Sequence, residues 1–262
     1  MDGKMKNDED LMPARHERII ETVMDQGFVS VETLAKQFSV TPQTIRRDIK
    51  KLADLGYLQK FHGGAGASSS VQNISYTTRK QLYSEEKTRI AEKLVGYIPN
   101  RASVFLNIGT STEEVARGLK TTKKGLRVIT NNLNVAAILG AKEDFEVIIA
   151  GGVVRSRDMG ITGEATIEFI RQFKVDFGVI GVSGIDADGS LLDFDYNEVR
   201  VSREIMLNSR KVFLVADSSK FGRNAMVRLG ELSEIDMVFT DKEPPDTYKK
   251  AILAADTKLV VA

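Results

Sequence analysis

The stretch from Ser39 to Leu52 reads Ser-Val-Thr-Pro-Gln-Thr-Ile-Arg-Arg-Asp-Ile-Lys-Lys-Leu and carries the signals of a helix start. Thr41 can cap the free N–H groups of a first turn, and Pro42 suits the first helical position, where no N–H donor is needed. The apolar residues then recur at helical spacing, which places one face inward: Ile45, Ile49 and Leu52. The sequence therefore predicts an amphipathic helix that begins at Pro42.

The opposite face of this helix is polar and basic. A solvated helix can have the same composition, but here Gln, Thr and two Arg are concentrated in the first turn and a half. Arg can bind guanine and Gln can bind adenine through paired hydrogen bonds, and the N-terminal end of a recognition helix enters the major groove. We therefore predict a DNA-reading helix. Its predicted contacts are Thr41, Gln43, Thr44, Arg46, Arg47, Lys50 and Lys51.

The elements around this helix complete a small DNA-binding domain. Helices are predicted from Pro13 to about Gln26 and from Val31 to Phe38, and a turn of about three residues before the recognition helix gives helix-turn-helix spacing. The alternating run Tyr57–His62, followed by two glycines, predicts a β-wing. Lys60 and His62 could contact phosphates from this wing, and a surface hairpin without a ligand is the alternative.

The composition limits the class of protein. The 262 residues include 37 Lys or Arg and 36 Asp or Glu, so a net charge of +1 gives no general attraction to nucleic acid. The basic character is local, since residues 42–62 contain five Lys or Arg and two Asp. Without cysteine and with two distant histidines, neither thiolate catalysis nor a metal site is expected. Without an apolar run of membrane-span length or an apolar signal-peptide core, we expect a cytoplasmic protein with no membrane partner.

A second pattern begins at Ser103. Short β-branched runs alternate with helical segments, which is typical of a mostly parallel sheet covered by helices on both faces. The predicted strands are Val104–Ile108, Leu126–Ile129, Phe145–Ile149, Asp176–Gly181, Val212–Val215 and Met237–Phe239, with Leu259–Val261 as an edge strand. The predicted organisation is a disordered N-terminus at 1–12, a winged helix-turn-helix domain at 13–65, a linker at 66–83 and an α/β domain at 84–262.

Small and hydroxyl residues follow several predicted strands. Ligands bind at the carboxyl ends of strands in open α/β sheets, and a helix start favours an anion. Ser111 and Glu114 also fit a capping box, so the first loop has a structural alternative, and Glu113 competes for the positive end of the helix dipole. Five such junctions together favour a small phosphorylated effector. Its predicted contacts are Gly109, Thr110, Ser111, Thr112, Asn131, Gly151, Gly152, Gly184, Asp193 and Lys220.

The sequence of the larger domain contains few signals for a cofactor site or a catalytic site. The Gly-x-Gly-x-x-Gly pattern of dinucleotide-binding folds does not follow the first strand, so no cofactor is predicted. Asp186-Ala187-Asp188-Gly189 resembles part of a calcium loop but lacks the later Glu, which favours a turn. Asp193, Asp195 and Glu198 could act as general bases, yet no reactive partner is in view, so we interpret them as binding or helix-start residues.

Several blocks of sequence point to a known family. Near the recognition helix these blocks are Gln37–Asp48 and His62-Gly63-Gly64-Ala65, and in the larger domain they are Leu191–Arg200 and Ser219–Val227. The first two resemble the DNA-binding domain of DeoR-type bacterial repressors. The last two resemble the members of that family that control glycerol and glycerol-3-phosphate utilisation. Lys60 stands where the family usually has arginine, so a point-charge contact to a phosphate is expected there.

The resemblance implies a repressor whose sensor domain is related in fold to ribose-5-phosphate isomerase. It implies operator DNA as a partner and release by a phosphorylated effector such as glycerol-3-phosphate. The isomerase's Asp-Gly-Ala-Asp motif is replaced here by Gly181-Val182-Ser183-Gly184, and its glycine-rich segment by Leu191–Arg200, which favours binding without turnover. Lys220 matches a lysine that the isomerase fold keeps.

Two further questions concern the assembly and the sign of regulation. One recognition helix reads only a few base pairs, so we expect a homodimer or homotetramer on paired half-sites. A sugar-phosphate isomerase-like enzyme with an accessory N-terminal domain, and a transcriptional activator of the same family, are the alternatives.

Overall fold

The computed structural model describes residues 14–26, 28–54, 57–61, 63–67, 76–81 and 83–262. These residues belong to two compact units that divide between Ser68 and Ser69. The predictions for residues 1–12 and for His62 lie outside the described residues. No helix in the described ranges is both long enough and apolar enough to cross a membrane.

In the described part of the smaller unit there are three helices and a three-stranded antiparallel sheet. Its elements are α1 (Ala14–Gln26), β1 (Phe28–Ser30), α2 (Val31–Gln37), α3 (Pro42–Asp54), β2 (Leu58–Phe61) and β3 (Gly64–Ala67). The apolar faces predicted for the helices form its core, with Ile19, Leu34, Ile45, Ile49 and Leu52 fully or almost fully buried. The predicted winged helix-turn-helix fold is confirmed.

The caps predicted for α2 and α3 are present. The Ser30 hydroxyl accepts a hydrogen bond from the N–H of Thr33 at 3.0 Å. The Thr41 hydroxyl accepts one from the N–H of Thr44 at 3.2 Å. Each cap satisfies an N–H group that has no partner within its helix, so both helices begin where the sequence indicates.

The second strand of the wing was not predicted. The sequence suggested a glycine turn and then a linker from Gly66, but β3 runs through Gly66 and lies between β1 and β2. Gly66 is opposite Phe28 on one side and Gln59 on the other. Backbone hydrogen bonding on both sides, rather than any side-chain pattern, defines this strand.

The larger unit is built on a seven-stranded sheet in the order β15-β14-β12-β9-β4-β5-β6. Every neighbouring pair in it is parallel. Its strands are β4 (Ser103–Leu106), β5 (Arg127–Thr130), β6 (Glu146–Ile149), β9 (Val175–Gly181), β12 (Ser209–Val215), β14 (Met237–Thr240) and β15 (Lys258–Val261). All seven predicted strands are present, and β15 lies at the edge as predicted.

Helices cover both faces of this sheet. They are α5 (Ser84–Val95), α6 (Thr110–Thr122), α7 (Leu133–Leu139), α8 (Glu164–Ile170), α9 (Tyr196–Leu207) and α10 (Asp246–Ala254). The short helix α4 (Tyr76–Gln81) precedes them in the chain. Val104 and Leu106 pack into a core with α5, α6 and α7, whereas Phe105 packs into a second core with α8, α9 and α10. Successive residues of a strand face opposite sides, so the two cores lie on the two faces of the sheet.

The strand order reverses between β4 and β9. From β4 the chain proceeds through β5 to β6 on one side, and from β9 it proceeds through β12 and β14 to β15 on the other. Such a switch point opens a crevice at the carboxyl ends of the strands, where ligands bind in folds of this class. The loops after β4, β9 and β12 therefore lie side by side.

Smaller sheets border this edge and were not predicted. They are the hairpin β7 (Val153–Val154) with β8 (Ile161–Thr162), and an antiparallel sheet of β10 (Gly184–Ile185), β11 (Ser190–Asp193) and β13 (Val227–Glu231). The possible calcium loop at Asp186–Gly189 is the turn between β10 and β11: the N–H of Gly189, whose φ is 90°, donates to the carbonyl of Asp186 at 3.0 Å.

Candidate functional site

The polar face of α3 is exposed on the smaller unit. The exposed residues there include all five of its predicted long polar contacts: Gln43, Arg46, Arg47, Lys50 and Lys51. Lys60, on β2 of the wing, is exposed as well. The hydroxyls of Thr41 and Thr44 lie 2.9 Å apart at the helix start. The structure therefore brings the predicted base-reading residues onto one face of one helix.

Asp48 occupies the inner side of this helix and was not anticipated. Its carboxylate accepts hydrogen bonds from Arg15 Nε at 2.8 Å and lies 2.9 Å from His16 Nε2, both on α1. Burial opposes ionisation of Asp48, but these two hydrogen bonds outweigh it and hold its pKa below the ordinary value. The contact fixes α3 to α1, so it positions the exposed face without contributing to it.

A polar cavity in the larger unit lies at the switch point. Five predicted effector contacts line it together: Gly109, Thr110, Ser111, Asp193 and Lys220. They come from the loop after β4, from β11 and from the turn after β12. Four polar side chains outside the prediction complete the lining: Arg79, Ser183, Glu198 and Arg223.

Gly109, Thr110 and Ser111 line the cavity at the start of α6, where backbone N–H groups have no partner within the helix. Gly109 is the N-cap of α6, and its φ of 151° is one that residues with a side chain rarely adopt. The capping box considered for Ser111 and Glu114 does not form, because α6 begins at Thr110 with Gly109 as its N-cap. Glu114 instead pairs with Arg117 at 2.8 Å. Since no side chain caps the helix, its first turn favours an anion.

The cationic side of the cavity is buried. Lys220 Nζ lies 3.7 Å from the Asp217 carboxylate, and burial lowers the pKa of Lys220 to about 7 against the opposing effect of that carboxylate. Burial, with the charge of Arg79, lowers the pKa of Arg223 to about 10. The Arg223 guanidinium stacks over Phe194 at 5.1 Å. A bound anion would stabilise the charged forms of both side chains.

Two carboxylates form the other side of the cavity. Asp193 accepts hydrogen bonds from the Ser183 hydroxyl at 3.0 Å and from the N–H of Phe194 at 2.7 Å, and burial raises its pKa. Burial and the charge of Asp193 raise the pKa of Glu198 to about 7, although Arg155 lies 2.8 Å away. Such carboxyl groups accept hydrogen bonds from hydroxyls. The cavity can therefore bind a molecule with an anionic end and hydroxyl groups.

The other predicted effector contacts have structural roles away from this lining. The Thr112 hydroxyl donates to the carbonyl of Asn107 at 2.7 Å, and Asn131 Nδ2 donates to the carbonyl of Ile161 at 3.0 Å. The carbonyl of Gly151 accepts from the Thr166 hydroxyl at 2.8 Å. The two remaining glycines, Gly152 and Gly184, allow close packing, since a Cβ would lie 2.2 Å from Thr166 Oγ1 and 1.9 Å from the carbonyl oxygen of Arg223, respectively.

The residues that sequence reasoning missed had different signals. Glu198 was considered as a general base, a binding group or a helix-start residue, and Arg223 stands in the block Ser219–Val227 that resembles the DeoR-type family. Neither was assigned to the effector site. Arg79 had none, because it lies in the stretch predicted as a linker, where the structure has helix α4. Only the fold brings α4 beside the switch point.

A larger open groove of about 570 Å³ lies between α8, α9 and β13. Its arginines are paired with glutamates at the surface: Arg203 with Glu234 at 2.6 Å and Arg171 with Glu204 at 2.8 Å. These pairs satisfy the charges that would otherwise attract a ligand. The smaller cavity at the switch point is therefore the better candidate for effector binding.

Comparison with known proteins covers both units. Residues 15–71 match the DeoR-like helix-turn-helix domain, and residues 83–242 match the DeoR C terminal sensor domain. Among solved structures, ribose 5-phosphate isomerase from Plasmodium falciparum aligns with 52% of this chain and 52% of its own chain, at 13% identity and a TM-score of 0.38.

Two curated relatives span almost the whole chain. The glycerol-3-phosphate regulon repressor of Escherichia coli is 55% identical over 231 residues, which cover 88% of this chain and 91% of that protein. The protein of the same name from Haemophilus influenzae is 49% identical over 247 residues, covering 94% and 96%. This chain therefore belongs to the DeoR family of helix-turn-helix transcriptional regulators.

Proposed function

We propose that this protein represses genes of glycerol-3-phosphate metabolism and is released from its operator by glycerol-3-phosphate. The observation that carries the proposal is the pairing of two features in one chain. One is helix α3, whose Gln43, Arg46 and Arg47 are exposed, and the other is a cavity that combines cations with carboxylates. The relatives at 55% and 49% identity carry the name of glycerol-3-phosphate regulon repressors, which favours repression over activation.

The proposed DNA contacts fall into two classes, which are contacts to base edges and contacts to phosphates. Base edges would be read by four side chains at the start of α3: Gln43, Thr44, Arg46 and Arg47. Phosphates would be bound by Lys50 and Lys51 farther along the helix and by Lys60 on the wing. Thr41 would serve both the helix start and a nearby phosphate, and His62 completes the proposed set.

The proposed effector contacts follow the two sides of the cavity. The phosphate would accept hydrogen bonds from the backbone N–H groups at the start of α6 and from Lys220 and Arg223. The glycerol hydroxyls would donate to Asp193 and Glu198. A ligand without the phosphate would leave the cations unpaired, and a ligand without the hydroxyls would leave the carboxyl groups unpaired. The cavity therefore favours a molecule that has both a phosphate and hydroxyl groups.

The cavity serves regulation rather than catalysis. The relatives of this chain at 55% and 49% identity are named repressors. Effector binding releases DNA if the ligand binds the DNA-incompetent state more tightly. We also propose that the protein acts as a homodimer or a larger homo-oligomer, since a single α3 reads only a few base pairs.

An operator-release experiment tests this function. A labelled DNA fragment from upstream of a glycerol-3-phosphate utilisation gene is titrated with the protein, with and without glycerol-3-phosphate. We expect specific binding that weakens by at least about fivefold with the effector, the lower end of typical coupling between two sites. Glycerol and inorganic phosphate, each carrying one end of the ligand, should have little effect. Binding that glycerol-3-phosphate leaves unchanged would remove the effector assignment while keeping the DNA-binding function.

A further inference from the structure

We propose that α4 transmits effector binding from the cavity to the chain segment that leads to the DNA-binding unit. This inference rests on the proposed function, because it names how that same cavity regulates DNA binding. Helix α4 begins at Tyr76, and the smaller unit ends at Ser68. It is thus the first described helix after the boundary. A change in its position would act directly on the connecting chain.

Arg79 places α4 in the wall of the cavity. Its side chain lines the cavity together with Lys220 and Arg223 and is 19% exposed. Its guanidinium lies 3.8 Å from the Asp158 carboxylate. Three cations therefore face one small cavity, beside the carboxylates of Asp158, Asp193 and Asp217. A bound phosphate would attract all three cations. Because Arg79 belongs to α4, a movement of its side chain toward the phosphate would displace α4.

The backbone of α4 is joined to the other walls of the site. The carbonyl of Arg79 accepts a hydrogen bond from the Thr110 hydroxyl at 3.4 Å, in the loop proposed to bind the phosphate. The same carbonyl accepts a hydrogen bond from the ammonium group of Lys87 on α5. A shift of the loop or of Arg79 is therefore passed to the helix through direct contacts.

Tyr76 fixes the other end of α4 through a separate group of buried contacts. Its hydroxyl donates to the Glu113 carboxylate at 2.9 Å and accepts from Asn134 Nδ2 at 3.1 Å. Asn134 also donates to Glu113 at 3.1 Å, and Glu113 is only 1% exposed. Glu113 lies in the first turn of α6, directly after the phosphate loop. Tyr76 therefore contacts α6 through Glu113 but does not line the cavity.

The narrowness of the cavity brings a bound ligand against these walls. The centre of a water-sized sphere has about 30 Å³ available in it, so a phosphorylated three-carbon compound would contact the lining side chains on several sides. The α6 start and Arg79 are both lining elements, and both contact α4. Packed contacts of this kind can carry coupling between two sites when they have two arrangements. Helix α4 has the position and the contacts for this role.

The test separates effector binding from its transmission. Tyr76→Phe removes one hydroxyl outside the cavity, and Tyr196→Phe, at a tyrosine that is 65% exposed, is the matched control. Calorimetry gives the affinity of each full-length variant for glycerol-3-phosphate. Fluorescence anisotropy gives its operator affinity with and without saturating effector.

For Tyr76→Phe we expect effector affinity and effector-free operator affinity to stay within about twofold to threefold of the wild type. The ratio of operator affinity without effector to operator affinity with effector should be at least about fivefold smaller in Tyr76→Phe than in the wild type. Glu113→Gln should show the same loss, and the double variant should add little to either single variant, because both remove one shared contact. Tyr196→Phe should respond like the wild type.

Two results would overturn the inference. One is full operator release by Tyr76→Phe, and the other is a loss of effector affinity that accounts for the lost release. A wild-type protein that does not bind glycerol-3-phosphate at all would instead refute the proposed function, so the two failures are distinguishable.

Discussion

The two cationic sites of this protein place their charges in opposite environments. On α3, Arg47 and Lys50 are exposed. In the cavity of the larger unit, Lys220 and Arg223 are buried beside carboxylates, and their pKa values are lowered by burial. An exposed cation keeps its charge and attracts a polyanion at a strength set by salt, whereas a buried cation depends on a partner anion. The first arrangement suits DNA, and the second suits a small anion.

The largest expected effect concerns Asp48, the buried charge behind the exposed site. Asp48→Ala leaves the buried His16 ring without its partner and removes an ion pair to the partly exposed Arg15, which should destabilise the smaller unit by up to about 4 kcal/mol. The folded-state pKa of Asp48 is lowered, so this stabilisation is present at neutral pH and is lost as the pH falls through that pKa. Hydrogen exchange of the α1 and α3 amides measures the change.

The exposed Asp54, on the same helix, provides the control for that measurement. Asp54→Ala should change stability by less than about 0.5 kcal/mol. Equal protection in Asp48→Ala and Asp54→Ala would contradict the structural role given to the buried carboxylate.

A smaller effect should separate base reading from phosphate binding on the exposed site. Arg47→Ala should weaken operator binding by roughly 1–3 kcal/mol and relax the base preference at one position. Lys60→Ala should weaken binding to all sequences alike and lower the salt dependence by about one charge. Anisotropy titrations on operator variants at several salt concentrations distinguish the two. Uniform weakening by Arg47→Ala would reassign Arg47 to a phosphate.

The smallest expected effect is a pH dependence confined to the cavity. In the free protein Lys220 and Glu198 both have a pKa of about 7, so raising the pH through 7 removes a positive charge and adds a negative one. A phosphate, already dianionic above its second pKa of about 6, then binds less well. If binding shifts these pKa values by about one unit in all, effector affinity should fall by up to about tenfold, or about 1.4 kcal/mol, between about pH 7 and about pH 8.5.

Calorimetry in buffers of different ionisation enthalpy checks this dependence, since binding should take up protons. Glu198→Gln should reduce the slope. An affinity that stays constant or rises over this range would show that the buried cations do not bind the phosphate.

Much of the fold follows from local patterns. The start of α3 is set by Thr41 and Pro42, and the seven parallel strands are set by their β-branched runs, so both could be predicted from neighbouring residues alone. The exposed face of α3 follows from helical periodicity in the same way. These features depend on residues close in sequence.

The features that could not be predicted depend on residues far apart in sequence. Strand β3 consists of Gly and Ala and exists because two other strands pair with it. The contact between Asp48 and Arg15 spans 33 positions and shows no local pattern. The cavity was predicted in part, since Gly109 and Lys220 follow strands, but Arg79 joins it only because α4 lies beside the switch point.

Operator release by a variant that lacks the Lys220 cation tests most directly whether the cavity controls DNA binding by α3. Lys220→Met is compared with Lys211→Met, which removes an exposed lysine from β12. Operator affinity is measured by anisotropy with and without glycerol-3-phosphate. We predict that both variants bind the operator like the wild type without effector, and that only Lys220→Met stays bound when the effector is added. Release of Lys220→Met at the wild-type effector concentration would contradict the proposal that this cavity controls α3.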